Sequence, residues 1–207
     1  MANDYSTSTD TFQDISEGNY VSTDYPQMSS FITAASRHID NEMGKPAGFF
    51  YPTTDSATRY YDGSDCDEIE IDEFVSISDV SVSLAGALES TDYTALSSSD
   101  YIVFPYNRTP IKKLIVDNLN GSNTTSHWPR YRKAVKVTGI PGYSLTPPDV
   151  IVQATKIQAV RWFMRGKQAF QDTGASITIG GMEFKGDLQL DPDVKALLWP
   201  LKLEFSA

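Results

Sequence analysis

Apolar side chains recur at steps of three and four from Pro26 to Met43, at Met28, Phe31, Ile32, Ala35, Ile39 and Met43. That spacing places them on one stripe of an α-helix. Ser30, Arg37, Asn41 and Glu42 fall on the other side, so the pattern predicts a helix with one buried face. Pro26 suits the first turn, Asp24 is close enough to cap, and Gly44 suits the left-handed residue that closes such a helix. A comparable pattern returns about 100 residues later, from Pro147 to about Phe170. Here Thr146 reads as the N-cap and Asp149 as an acid at the positive helix end. Val150, Ala154, Ile157, Val160 and Met164 form one stripe, widened by Ile151, Trp162 and Phe163. A helix apolar on two sides packs on two partners.

Between the helices the period shifts from helical spacing to alternation. Phe49-Phe50-Tyr51-Pro52 is a short apolar stretch closed by proline, and Asp62-Gly63 is a turn signal after Thr58-Arg59-Tyr60-Tyr61. Glu68 to Asp72 alternates strictly and predicts a strand with acids outward, read as a solvated edge. Ile77 to Leu84 alternates with one break in phase. Tyr101 to Phe104 reads as a short buried strand ended by Pro105; Lys113 to Val116 and Arg132 to Val137 are further strands. Toward the C-terminus, Ile177 to Ile179 and Met182 to Phe184 flank Gly180-Gly181, a hairpin signal. Asp191 then caps a short helix carrying Val194, Leu197, Leu198 and Trp199, which Pro200 is expected to stop.

These patterns predict an α+β fold: an antiparallel helix pair as core, an inserted β-rich region forming a small antiparallel sheet or barrel, and a C-terminal hairpin plus short helix. The expected divisions are a flexible N-terminal arm at 1–24, a helical core with C-terminal docking elements at 25–45 and 146–207, and the β-rich insertion at 46–145. Residues 1–24 hold no Lys or Arg and no clear apolar period, so they are expected to be mobile alone or to order against a partner.

Composition alters this picture in a few places. A length of 207 residues with 40% apolar and 12% aromatic content is enough for a real core. A single cysteine, Cys66, excludes an intrachain disulfide and a cysteine zinc site. No apolar run approaches a membrane span. The net charge of −10 is split unevenly: residues 1–100 carry 19 acids and 3 bases, the rest 8 acids and 14 bases. The acidic total argues against general nucleic-acid binding. The split reads either as two solvated faces or as a subunit packing head to side on copies of itself. Arg161 and Arg165 are then the basic candidates, and Asp67, Glu68 and Glu70 the acidic ones.

Catalytic signatures are missing. His38 and His127 stand away from any nucleophile or metal-ligand pattern, and no phosphate-binding glycine loop occurs. The acids from Asp62 to Asp72 lack the order and terminal glutamate of a calcium loop. No catalytic residue, cofactor or metal is expected.

The order of segments resembles the head–tail connector (adaptor) proteins of tailed bacteriophages. Phe31-Ile32-Thr33-Ala34-Ala35-Ser36-Arg37-His38-Ile39-Asp40 is similar to the family's Ile-x-Ala-Ala-Ser-x-x-Ile-Asp helix. Gly44 with Phe49-Phe50-Tyr51-Pro52 resembles its Gly-Arg-x-Phe-x-Pro stretch, although Lys45-Pro46 follows the glycine here. Thr58 to Gly63 resembles its aromatic-Asp-Gly turn, Pro147 to Val160 its proline-acid-helix segment, and Asp191 to Leu198 its C-terminal Asp-Val-x-x-Leu-Leu signature. Trp199-Pro200-Leu201 departs from the family's basic end.

The resemblance implies a non-catalytic virion protein of the neck: a ring, usually of about twelve copies, beneath the portal. It implies a ring that extends the DNA channel and gives the tail a platform for attachment and DNA ejection. Implied partners are the portal protein, a tail, stopper or tail-terminator protein, other copies of the chain, and DNA passing without sequence-specific contact. No membrane is implied. The location is the head–tail interface of the virion, and the host cytoplasm during assembly. Val194, Leu197, Leu198 and Trp199 join Arg161, Trp162 and Arg165 as candidates for the subunit or portal interface. The alternative reading is a β-rich module of a virion or secreted assembly that binds carbohydrate or protein through Tyr60, Tyr61, Tyr101 or Tyr106.

Overall fold

The computed structural model describes residues 3–11, 27–84, 92–117, 125–167, 177–179, 182–184 and 190–206. It is α+β, with an open antiparallel sheet and few helices. The chain divides into two compact units, a sheet unit at Phe49–Thr146 and a helical unit made of Ala2–Gly48 and Pro147–Ala207.

In the helical unit, α1 spans Met28–Glu42 and buries Met28, Ile32, Ala35 and Ile39, the stripe read from the spacing. Its close follows the reading of Gly44, which takes φ +66°. The Gly44 N–H donates to the Asn41 carbonyl and the Lys45 N–H to the Asp40 carbonyl, at 3.1 and 2.9 Å. Two carbonyls that the helix leaves open are thereby satisfied. The start differs from expectation. Gln27 occupies the N-cap without a side-chain bond, and Asp24 and Pro26 lie outside the described residues.

Helix α2 spans Asp149–Lys167, and its first bonds run to the Pro148 carbonyl, so Thr146 is not the cap. Its buried face holds Ile151, Ala154, Thr155, Gln158, Ala159 and Phe163, while Val150 and Met164 are exposed. Of the apolar positions read from the spacing, Ala154, Ile151 and Phe163 are thus the buried ones. Both polar side chains are bonded, Thr155 through its hydroxyl, which donates to the Ile151 carbonyl at 2.8 Å, and Gln158 at one end only: Oε1 accepts the Asp191 N–H at 3.1 Å, while Nε2 is buried without a partner among the described residues. Counting apolar letters cannot see such bonds. Met28, Ile32 and Ala35 of α1 cluster with Ala159 and Phe163 of α2, flanked by Phe31 and Trp162.

Helix α3 spans Pro192–Ser206. Asp191 caps it as expected, accepting the Asp193 N–H on its carboxylate at 3.0 Å. Pro200 does not stop it. Proline removes one donor and crowds the carbonyl of the preceding turn, yet the turns beyond it gain a tertiary contact, since Lys202 pairs with Glu42 at 3.0 Å.

The sheet unit contains β1 (Ala57–Tyr61), β2 (Glu68–Val82), β3 (Thr94–Ala95), β4 (Tyr101–Phe104), β5 (Ile111–Val116) and β6 (Val135–Pro141). Their order is β1-β6-β2-β5-β4, with β3 also on β2. The two segments expected on either side of Asp72 form one strand of 15 residues. Register shifts between Glu70 and Phe74, and between Ile77 and Asp79, let it bend, and the second lies where the alternation breaks phase. Strand β2 is central in the strand order, but among the described residues its acid-bearing stretch is paired on one side only, Glu68 to Glu70 on β5, since β6 joins β2 from Phe74 onward; Lys113 stands opposite Glu70 and Arg59 reaches Asp72. Outward acids on a stretch paired on one side fit the edge reading, and cross-strand cations partner them. The Tyr101–Phe104 strand, read as buried, is a terminal strand, and it is only partly buried. The segment containing Thr58 to Tyr61, read only as the approach to a turn, is strand β1.

Phe74, Val80, Val82, Leu114, Trp128, Val135 and Val137 lie at the centre of the sheet's core. Gly63 is required by close approach: a Cβ there would lie 1.6 Å from the Pro129 carbonyl oxygen. In the same unit the two chain ends are clasped, the Tyr143 N–H donating to the Phe49 carbonyl at 2.8 Å. Further along, β7 (Ile177–Ile179) and β8 (Met182–Phe184) pair antiparallel, and the glycines between them lie outside the described residues.

Residues 3–11 are not a free arm. Tyr5 is 1% exposed, its N–H donates to Ser36 Oγ at 3.2 Å, and its hydroxyl donates to Asp40 Oδ1. Arg37 donates to the Asn3 carbonyl at 2.7 Å and lies 5.4 Å from the Tyr5 ring centroid. Residues 12–24 lie outside the described residues.

Asp40 is 1% exposed and also accepts the Gly48 N–H at 2.9 Å. Burial raises its carboxyl above the ordinary 3.8, against the lowering influence of Tyr5, Gly48 and Arg37. From 3.8 up to the raised value, the unfolded chain has released a proton that the folded chain retains. The stabilisation from this group is therefore largest at the acid end and declines as pH rises through the window. Urea titrations across pH should show wild-type stability falling relative to Asp40→Asn over that window, with a constant difference above it. A difference that does not change with pH would mean that Asp40 ionises alike in both states.

Candidate functional site

The expected interface residues fall on the two units separately. Asp67, Glu68 and Glu70 stand on or just before β2, with exposed side chains. Each has a partner within its own unit. Asp67 Oδ1 lies 2.5 Å from His127 Nδ1, and Lys113 Nζ lies 3.8 Å from Glu68 and 3.3 Å from Glu70. Asp67 is also structural through its backbone, since its carbonyl accepts the Trp128 indole N–H at 3.0 Å and the Val116 N–H at 2.7 Å. Asp62 accepts the Lys133 N–H at 2.8 Å, and Asp72 takes both Arg59 and the Tyr61 hydroxyl. Desolvation, with the Asp72 charge second, pushes the Tyr61 hydroxyl above its usual range. Among the described residues no group of three or more His, Cys, Asp and Glu side chains is placed to hold a metal ion.

The basic candidates divide. Arg161 Nη1 donates to Asp191 Oδ2 at 2.6 Å, with both side chains mostly covered. Asp191 therefore caps α3 and anchors it to α2 at once. Arg165 is partly buried one turn on. Trp162 lies against the α1–α2 cluster, its ring 5.5 Å from that of His38. This contact accounts for the placement of His38.

On α3, Val194 and Leu198 are buried, Leu197 is partly buried, and Trp199 is 61% exposed. The face of α2 turned from its own core carries Val150 and the 49%-exposed Met164, with Ile157 and Val160 half-covered between them. These positions share one side of a helix at steps of seven, three and four. Apart from the buried Ala154, the stripe read from the spacing is the outward one, and the helix is apolar on two sides as read.

Of the tyrosines weighed as a platform, Tyr61 and Tyr101 pack against the sheet core, while Tyr60 and Tyr106 are exposed. Tyr60 lies 5.9 Å from Tyr93, and Lys136 Nζ lies 5.2 Å from the Tyr93 ring centroid. Three residues escaped the sequence reading: Tyr5 and Asp40, which hold residues 3–11 on α1, and Trp128, the largest fully buried side chain among the described residues. An aromatic after a turn-rich stretch was the available signal for Trp128. Nothing in the spacing pairs Tyr5 with Asp40.

No family model and no curated protein matches the chain. Among solved structures it is similar to a chain from the neck of an empty gene transfer agent (GTA) particle computed with C6 symmetry. That match has a TM-score of 0.50 and 10% identity, over 96% of this chain and 93% of that one. A chain from the neck of the native GTA particle computed with C12 symmetry aligns at 0.46, with 12% identity over 97% and 93%. A chain from the virion of the native particle aligns at 0.48, with 12% identity over 93% and 87%. The first establishes a shared overall fold, and the two lower scores add no weight to it.

The Arg161–Asp191 pair ties assembly candidates to folding. Arg161→Glu places two acids together at the start of α3, at a cost of about 1–2 kcal/mol after allowance for partial exposure. The expected outcome is a lower denaturation midpoint, with faster amide exchange through 190–200. Adding Asp191→Arg should recover part of the midpoint. Unchanged stability in the single variant would show the pair to be incidental.

Proposed function

We propose that the chain is a structural protein of a phage-like virion: a head–tail connector (adaptor) that forms a ring beneath the portal. In this reading the ring extends the DNA channel, holds the tail or stopper, and performs no catalysis. The observation that carries the reading is the fold shared along nearly the whole chain with a protein of a gene transfer agent neck. The order of segments from Phe31 to Leu198 supports it independently, since it rests on residues rather than shape.

The physical surface fits a subunit rather than a monomer. The outward stripe of α2 and the exposed Trp199 are apolar side chains of the kind that a neighbouring copy or the portal covers. A ring of identical contacts needs two different faces on each copy, and the charge division along the chain offers unlike ones. A net charge of −10 also suits a DNA conduit, because an acidic wall does not hold DNA. About twelve copies is the number that the family resemblance implies.

A second reading, a β-rich module that binds carbohydrate or protein, draws on the exposed Tyr60 beside Tyr93 and Lys136. It expects Tyr60→Ala to abolish ligand capture and leave particle assembly unchanged.

Mass measurement on particles is the deciding experiment. The full chain added to particles lacking it should be taken up as a multi-copy ring. Trp199→Ser combined with Met164→Ser should leave monomer stability within about 0.5 kcal/mol. Covering one large apolar side chain is worth roughly 1.5–3 kcal/mol, so incorporation should fall at least about tenfold. A chain present as single copies in complete particles would overturn the ring, and normal incorporation of the double variant would remove these two side chains from the interface.

A further inference from the structure

The sheet has two terminal strands, β4 on one side and β1 on the other, and among the described residues neither pairs beyond its one neighbour. The bonding register shows which backbone groups each leaves open. The Asp117 N–H donates to the Asp100 carbonyl, whereas the Val116 N–H turns away from β4 to Asp67. Bonded and non-bonded pairs alternate in an antiparallel ladder. Val116 stands opposite Tyr101 and Leu114 opposite Val103, so Tyr101 and Val103 direct their N–H and C=O groups outward. On the other side, the Ser83 N–H donates to the Ala134 carbonyl, which assigns Ala134, Lys136 and Thr138 to β2. Their β1 partners Thr58 and Tyr60 therefore direct N–H and C=O outward as well.

Unprotected edges are a hazard that folded proteins usually blunt with charge, proline or a bulge. Strand β4 reads Tyr-Ile-Val-Phe, with no charge, no internal proline and strong β-formers throughout. The β1 edge is similar, and its one charge, Arg59, is neutralised by Asp72 at 2.5 Å. The two edges are of nearly equal length, and each presents outward groups at alternate residues.

We propose that the outer edge of β4 pairs with the outer edge of β1 from a second copy, so that the sheets join from subunit to subunit. This inference rests on the ring reading above and names the contact that closes the ring. Pairing β4 with β1 is heterologous: every added copy leaves one free edge of each kind, and the series ends only by closure. Pairing β4 with β4 would instead stop at a dimer.

The register supplies the test. Val103→Pro deletes one outward N–H and leaves the β4–β5 bonds intact, and proline is tolerated on edge strands. Tyr60→Pro does the same on β1. Val103→Ala keeps the N–H and controls for the lost side chain. With full-length chains added to particles lacking the protein, wild type and Val103→Ala should enter as rings. Val103→Pro and Tyr60→Pro should each fall at least about tenfold, singly and when mixed. Amide exchange on the wild type tests the same contact without a variant. Outward amides at Tyr101, Val103, Thr58 and Tyr60 should slow at least about 100-fold between free chain and ring.

Wild-type rings in which these amides stay fast, or in which Val103→Pro enters normally, overturn the edge pairing and leave the ring reading standing. Normal entry of Tyr60→Pro alone overturns the choice of β1 as partner. A wild-type chain that forms no ring overturns both readings.

Discussion

The stripe on α1 cannot be buried by α1. Its partner helix starts more than a hundred residues later, and the cost of bringing two such distant segments together is the entropy of the loop between them. The sheet unit reduces that cost by closing on itself. Its first strand pairs with its last, from Ala57 opposite Gly139 to Tyr61 opposite Val135. The Tyr143 N–H then reaches the Phe49 carbonyl, and Gly142, at φ +143°, lets the chain pass so close that a Cβ would lie 2.7 Å from Pro52. A β-rich insertion whose ends meet behaves as a short connection, so α1 and α2 can share the cluster around Ile32, Ala35 and Phe163.

Polar groups inside each unit set geometry more than they add stability. The Tyr5–Asp40 contact, the Gln158 bond to the Asp191 backbone and the Trp128 indole bond to Asp67 each join segments far apart in sequence. A buried polar group without its partner costs more than the bond contributes, so each of these contacts selects one arrangement of its unit and excludes others. The acids between Asp62 and Asp72 act similarly at the surface. They meet lysine, arginine, histidine and backbone N–H groups of neighbouring strands, and among the described residues β1 and β4 are the terminal strands of the sheet.

This distribution bears on assembly. Side chains with satisfied partners, such as Arg161 and Glu70, are poor anchors for a neighbour, because a new contact must first break an existing one. Open backbone edges and exposed apolar side chains have no such penalty to overcome. An interface of this chain is therefore better carried by strand edges, Met164 and Trp199 than by ion pairs, with charge contributing encounter and register.

Local periodicity was sufficient for α1 and its glycine close, the existence of α2, the cap of α3, most strands, the α+β class, and the outward acids of β2. Each depends on spacing or on residues within one turn, where the chain's own geometry decides the outcome. Tertiary structure alone decided which face of α2 is buried, whether Pro200 ends α3, which strands are edges, and that residues 3–11 pack on α1. The physical reason is common to all four. Contacts between distant residues decide the burial of Gln158, the course of α3 past Pro200, which strands end the sheet and the ordering of a polar segment, and those partners are fixed by the fold rather than by neighbours along the chain.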